Sequence, residues 1–214
     1  MAQTSPASKS KTQNFYDGIA DIHNLAMKFN GYRSSVEKYL RSLDLKLDEN
    51  SLVLDAGSGT GIVTLGFQST GFRGKTVALD LSFNSLKISL EQFEKDEKTD
   101  AENISAVQGN ILQIPFANAT FDLVLTCGVL EYVPLDEGLR EMARVMKKGA
   151  KLVLIPVKPS LVGTVLEILY KFKTHSIEEV RETAQKYFKI VGDSQFPITE
   201  PIGWSKMIFL LEKK

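Results

Sequence analysis

The chain has 214 residues, and 26 Lys and Arg balance 26 Asp and Glu, so it carries no net charge. That length fits one domain, and the balanced charge gives no field to attract nucleic acid or an anionic membrane. The single cysteine, Cys127, excludes an internal disulfide framework, and two histidines with one cysteine do not form a typical structural zinc site. No apolar run approaches the roughly 20 residues that span a bilayer. We expect a soluble cytoplasmic domain with no metal, nucleic-acid partner or integral membrane association.

The N-terminal segment combines a polar tail with a helical pattern. Residues 1–13 are rich in Ser, Lys, Thr and Gln, with no apolar signal core, and predict a flexible tail. From Phe15 to Leu43 apolar residues recur at helical spacing, and Gly31 is expected to interrupt the helix. Residues 14–214 are therefore predicted to form one domain.

A glycine-rich turn follows the first apolar run. Leu52 to Ala56 is apolar except for Asp55, and the sequence then continues as D-x-G-x-G-x-G to Gly61. A short apolar run bounded by glycine is typical of a buried parallel strand, and the pattern after Gly61 suits a helix whose free N–H groups point back at a ligand. Glycines let a ligand lie directly on the backbone, although such turns also occur in loops that bind nothing.

The glycine spacing distinguishes between cofactors. A dinucleotide fingerprint, G-x-G-x-x-G, needs glycine at position 62, where this chain has Ile62. The observed pattern resembles the first motif of class I S-adenosylmethionine (SAM)-dependent methyltransferases of the small-molecule type, with a methyltransferase-11-like domain. The resemblance implies that SAM is the cofactor and that the turn binds it. The residues of the turn implied to do so are Asp55, Gly57, Ser58, Gly59 and Gly61.

The second and third strands carry the next implied cofactor contacts. Lys75 to Asp80 is an apolar run that ends in an acid, and the two carboxylate oxygens of Asp80 can accept both ribose hydroxyls. Leu81 follows Asp80 and is assigned to the same site. The alternative is that Asp80 caps the next helix, for which Ser82 is the better candidate.

A strand at 104–108 leads into the segment that the resemblance implies for adenine. The family usually has an acid here that accepts a hydrogen bond from the exocyclic amine, whereas this chain has Asn110. An amide oxygen accepts the same bond without charge assistance. Ile111 is expected to pack against the adenine ring.

The fourth strand, Thr120 to Cys127, is followed by Gly128 to Val133, which resembles the family motif beside the transferring methyl group. Because ligands bind at the carboxyl ends of strands where the strand order reverses, this loop and the glycine turn should flank one crevice. Cys127 is expected to contact the cofactor through its carbonyl, or to be a small filler residue. It has no neighbour in sequence that would make it a nucleophile.

Three residues are candidates for removing a proton from the acceptor, in the order Glu131, Tyr16 and His23. Many relatives have histidine near Glu131, and this chain has Tyr132 there, so a histidine base does not carry over. The resemblance implies that residues 14–45 form a helical cap over the cofactor, which would bring Tyr16 and His23 to the site. The alternative is that these residues only dock that cap onto the domain.

The C-terminal part resembles the family more weakly. Leu135 to Met146 predicts a helix before a fifth strand, and residues 158–186 predict a substrate-side helical segment. A loop with exposed aromatic residues at 195–204 joins the sixth and seventh strands. These apolar features favour a hydrophobic or aromatic acceptor, or else they simply cover the core.

Together these motifs predict an α/β fold, a Rossmann-like doubly wound sheet of seven mostly parallel strands with helices on both faces. The resemblance implies that the last strand is antiparallel. The implied function is methyl transfer from SAM to an O, N or C nucleophile of a small molecule. The rivals are a SAM-binding regulatory or assembly module without methyl transfer, and a nicotinamide-dependent oxidoreductase, which Ile62 argues against.

Overall fold

The computed structural model describes residues 31–170 and 172–214. Seven strands form one sheet in the order β3-β2-β1-β4-β5-β7-β6. The strands are β1 Leu52–Ala56, β2 Lys75–Asp80, β3 Ile104–Gln108, β4 Phe121–Cys127, β5 Met146–Ile155, β6 Phe188–Gln195 and β7 Met207–Lys213. The predicted tail and the first half of the predicted cap, including Phe15, Tyr16 and His23, lie outside the described residues.

The sheet is doubly wound, as predicted. β1 to β5 pair in parallel, and β7 lies between β5 and β6 and pairs antiparallel with both. The strand order runs one way from β1 to β3 and the other way from β4 onwards. The reversal therefore falls between β1 and β4, which is where ligands bind in open α/β sheets.

Both faces of the central strands are buried, which explains why β1 and β4 are nearly continuous apolar runs, whereas the edge strand β6 alternates between exposed residues and residues that are at least partly buried. Along β1, Val53 packs into one core cluster and Leu54 into the other, since successive side chains point to opposite faces. Helix residues from the N-terminal half cover the Val53 face. Helix residues from the C-terminal half, including Met142 and Ala184, cover the Leu54 face.

Within residues 31–170 and 172–214, six α-helices flank the sheet. They are α1 Tyr32–Arg41, α2 Ile62–Gln68, α3 Phe83–Lys95, α4 Leu135–Val145, α5 Leu161–Tyr170 and α6 Ile177–Gln185. Ser82 caps α3 by accepting a hydrogen bond from the Ser85 N–H, and Ser176 caps α6 by accepting one from the Glu179 N–H. The Ser82 cap agrees with the sequence prediction, and Ser176 opens the S-x-x-E pattern that is typical of a capping box. The described helices include none long and apolar enough to cross a membrane.

Three sequence predictions need correction. Met146 does not end α4 but begins β5, where it pairs with Phe121. The sequence pattern predicts a helix from Leu161 to Phe172, but α5 ends at Tyr170. Phe196 is not exposed: it is buried with its ring edge against Tyr39, at 6.2 Å between centroids. The sequence predicts that an aromatic residue in a proline-containing loop is exposed, but this loop folds back so that Phe196 packs into the core.

Candidate functional site

A crevice lies at the carboxyl ends of β1 and β4, where the strand order reverses. The Thr126 hydroxyl donates to the Ala56 carbonyl at 2.8 Å and joins the two strand ends. The glycine turn and the loop after β4 touch, because a Cβ on Gly57 would lie 2.3 Å from Cγ2 of Val129. The structure therefore brings together the two motifs that the sequence placed on one crevice.

The three glycines of the turn are required for three different reasons, and all have positive φ. Gly57 leaves room for Val129, and Gly61 leaves room for Phe93, whose ring would lie 2.6 Å from an added Cβ. Gly59 faces open space, since an added Cβ would have no described heavy atom within 4 Å. Only Gly59 offers bare backbone to a ligand.

Two buried polar atoms beside the turn have no hydrogen-bond partner among the described residues: Oδ1 of Asp55 and Oγ of Ser58. The other carboxylate oxygen of Asp55 accepts from the Thr64 hydroxyl at 2.6 Å. Burial raises the pKa of Asp55 to about 7, while the Thr64 hydrogen bond lowers it and nearby Asp80 raises it. Since buried polar groups are nearly always paired, these two atoms indicate a polar ligand.

Asp80 holds the glycine turn against β2. Its Oδ2 accepts from the Gly59 N–H at 2.8 Å, and its Oδ1 accepts from the Ser82 N–H at 2.8 Å. Gly57 N–H also donates to the Leu79 carbonyl at 2.7 Å. These bonds fix the Asp80 carboxylate beside the glycine turn, and its contact with a ribose stays a prediction. The capping alternative for Asp80 is not needed, because the side chain of Ser82 caps α3.

The residues assigned to adenine lie at the end of β3 in different environments. Asn110 is exposed, and its Oδ1 accepts from the Leu112 N–H at 2.9 Å. Ile111 is buried in the main core cluster. Leu81, which follows β2 and is assigned to the same site as Asp80, is at the surface. Their contacts with the cofactor stay predictions.

The other half of the crevice contains a cation that the sequence analysis does not single out. Lys206, just before β7, is 7% exposed, and its Nζ would lie 2.5 Å from a Cβ on Gly128. Burial lowers the pKa of Lys206, but the negative charges that Cys127, Glu131 and Tyr32 carry when ionised outweigh burial and raise it above its ordinary value. A lysine at the start of a strand is normally predicted to be exposed to solvent, and the sequence around Lys206 gives no sign that it is buried.

Glu131 lies in the same half of the crevice and is 6% exposed. One carboxylate oxygen accepts from the Val157 N–H, and the other, Oε2, is buried with no hydrogen-bond partner among the described residues. Burial raises the pKa of the Cys127 thiol, so Cys127 is protonated at neutral pH. Of the three proton-acceptor candidates, the structure describes only Glu131, because Tyr16 and His23 lie outside the described residues.

Comparison with known proteins agrees with this geometry. The sequence profile of the methyltransferase domain family matches residues 54–154, from β1 to β5. An uncharacterised protein of Methanocaldococcus jannaschii is 36% identical, with 78% of this chain and 72% of that protein covered. The chain belongs to the class I SAM-dependent methyltransferases. SAM is therefore its cofactor.

Two further similarities are to proteins of named activity, one in sequence and one in fold. Demethylmenaquinone methyltransferase of Bacillus cereus is 28% identical, and the match covers 67% of this chain and 60% of that enzyme. The chain thus spans about 60% of the length of that relative. The structure of geranyl diphosphate C-methyltransferase from Streptomyces coelicolor superposes with a TM-score of 0.74 at 13% identity, covering 99% of this chain and 100% of that one. That likeness shows a shared fold.

Proposed function

We propose that this methyltransferase transfers the methyl group of SAM to an O, N or C nucleophile of a small hydrophobic or aromatic molecule. The observation that carries the proposal is the open face of Gly59, flanked by the unpaired Asp55 and Ser58 atoms. SAM fits this site, because its methionine ammonium and hydroxyl-bearing ribose match a carboxylate, a hydroxyl and bare backbone.

The residues proposed to bind SAM are those on the first three strands and the end of β4. Asp55 faces the ammonium, Asp80 accepts from the ribose hydroxyls, and Asn110 accepts from the adenine amine. The other proposed contacts are Gly57, Ser58, Gly59, Gly61, Leu81, Ile111 and the Cys127 carbonyl. When bound, SAM supplies an activated methyl group, so the main task of the protein is to hold the acceptor at attacking distance.

The acceptor side is proposed to be apolar because large hydrophobic side chains are exposed there. In α5, Leu161 is 91% exposed and Ile168 is 74% exposed. In the loop between β6 and β7, Ile198 and Trp204 are also exposed. Trp204 is close to the start of α5, because the Ser160 hydroxyl donates to its carbonyl at 2.9 Å. The sequence relative and the structural neighbour reported above are named for demethylmenaquinone and geranyl diphosphate, which are likewise small molecules.

The test has two stages. Thermal-shift and calorimetric titrations with SAM, S-adenosylhomocysteine and NADH should show stabilisation by the two adenosyl ligands alone. Radiolabelled SAM is then incubated with a panel of hydrophobic phenols, amines and enols, and label should transfer to at least one class. Binding of SAM with no transfer to any acceptor would favour the regulatory or assembly module instead. Binding of NADH without SAM would refute the cofactor assignment.

A further inference from the structure

Lys206 is a buried ammonium for which the described residues provide no counter-charge in contact. Its Nζ makes no hydrogen bond and no ion pair within 4 Å with any of them. Gly128, with φ at +65°, leaves the room that the ammonium occupies. The stem of Lys206 is buried, but its Nζ is not among the fully buried atoms without a partner, so the ammonium stays accessible to a ligand.

Glu131 is the complement of Lys206. Its Oε2 is buried and unpaired, while its other oxygen is fixed by the Val157 N–H. Val157 and Lys206 are themselves joined as an antiparallel bridge. The Glu131 carboxylate and Lys206 therefore lie near each other, with an unused acceptor on Glu131, and the region that they flank is called the pocket below.

The pocket lies on the acceptor half of the crevice. In the sheet, β1 and β2 lie on one side of β4, and β5 and β7 lie on the other. The glycine turn and Asp80 belong to the first side, whereas Lys206 and Val157 belong to the second. Gly128, at the end of β4, is the point where the two sides meet.

We infer that Lys206 and Glu131 bind an acidic hydroxyl of the methyl acceptor, of the phenol or enol class. The Lys206 ammonium donates to the hydroxyl oxygen, and Oε2 of Glu131 accepts its proton. The O–H bond breaks, its electron pair stays on oxygen beside the ammonium, and the proton forms a carboxylic acid on Glu131. The net charge of the buried pocket does not change. This inference rests on the proposed function, since it names the class of acceptor.

The probe is 4-nitrophenol, whose ionised form absorbs visible light. The full chain is saturated with S-adenosylhomocysteine, and nitrophenolate binding is measured from the change in absorbance at a pH where the phenol is ionised. Lys206→Gln should weaken binding at least tenfold. Lys158→Gln is the matched control: Lys158 is half-buried and its N–H donates to the Ser205 carbonyl, but it is not assigned to the pocket. It should bind nitrophenolate as the wild type does.

Glu131→Gln distinguishes a role in binding from a role in packing, because a variant that only disturbed packing would not bind nitrophenolate more tightly. Removal of the negative charge should tighten nitrophenolate binding, because repulsion between two anions is lost, while proton transfer from an acceptor is abolished. Gly128→Ala should weaken binding like Lys206→Gln, because the added Cβ would displace the ammonium.

Equal nitrophenolate affinity in the wild type and Lys206→Gln would overturn the inference. So would loss of S-adenosylhomocysteine affinity in Lys206→Gln, which would assign Lys206 to the cofactor carboxylate. Failure of the wild type to bind S-adenosylhomocysteine would instead refute the proposed function.

Discussion

Replacement of Asp55 by Asn should change how the stability of the protein depends on pH. The pKa of Asp55 is about 7 in the folded protein, against an ordinary value of 3.8. The folded state therefore binds the proton more tightly than the unfolded state. The favourable contribution of Asp55 is complete below pH 3.8 and is lost as pH rises towards 7.

The magnitude follows from the two pKa values. A shift of about 3 units corresponds to about 4 kcal/mol over the whole range. Between about pH 5.5 and about pH 8, linkage gives a loss of about 2 kcal/mol in the free energy of unfolding. Asp55→Asn has no proton to lose there, and its amide oxygen still accepts from Thr64. The variant should therefore gain about 2 kcal/mol relative to the wild type over that interval.

Urea unfolding followed by circular dichroism at both pH values measures the difference. Other titrating groups cancel, because wild type and variant are compared at each pH. Thr64→Val provides a second check: loss of the hydroxyl that stabilises the carboxylate should raise the pKa of Asp55 and move the loss of stability to higher pH. A stability difference between wild type and Asp55→Asn that does not change with pH would refute the reasoning.

Three further predictions concern the crevice and its support. Asp80→Asn should weaken S-adenosylhomocysteine binding at least tenfold in calorimetry, because charge-assisted bonds to the ribose and Gly59 are lost; an unchanged affinity in a folded variant would remove the ribose assignment. Gly59→Ala and Gly61→Ala should both strain a backbone of positive φ, at a cost of about 1 kcal/mol. Gly61→Ala should lower the melting temperature further because its Cβ meets Phe93, whereas Gly59→Ala should reduce ligand affinity more. Equal effects of the two variants on melting temperature and on ligand affinity would contradict the assignment of open space to Gly59. Arg144→Met should cost about 1–3 kcal/mol in urea unfolding, because the guanidinium donates to the Ile114 and Phe116 carbonyls, and a loss below the error of the measurement would show that water replaces it.

Most strands could be predicted from sequence because each is an apolar run that ends at a glycine or an acid. β2 and β3 have the predicted bounds, because an acid ends the buried run of β2 and Gly109 follows β3. The two loops of the crevice were also predictable, because a parallel sheet brings carboxyl ends together.

The contacts within the crevice could not be predicted in the same way. Gly59 faces open space and Gly61 faces Phe93. The sequence around the two glycines does not show this difference, because it depends on which distant residues pack against each of them. Lys206 lies next to Gly128 only because β7 enters the sheet beside β5. Burial that arises from a contact 78 positions away in the chain leaves no periodic signal near Lys206.

The insertion of β7 also sets an order of assembly during synthesis. β6 is made first, yet it joins the sheet only through β7, so it has no strand partner until β7 emerges. Until then the edge of β5 is open, and an open edge invites pairing with other nascent chains. The pairing of Leu154 with Phe209 closes a long loop, which makes it a slow step. Lys206 lies directly before β7 and takes its place only when β7 joins the sheet. A chain in which only the strands of the cofactor half have folded would therefore lack the ammonium of the acceptor half.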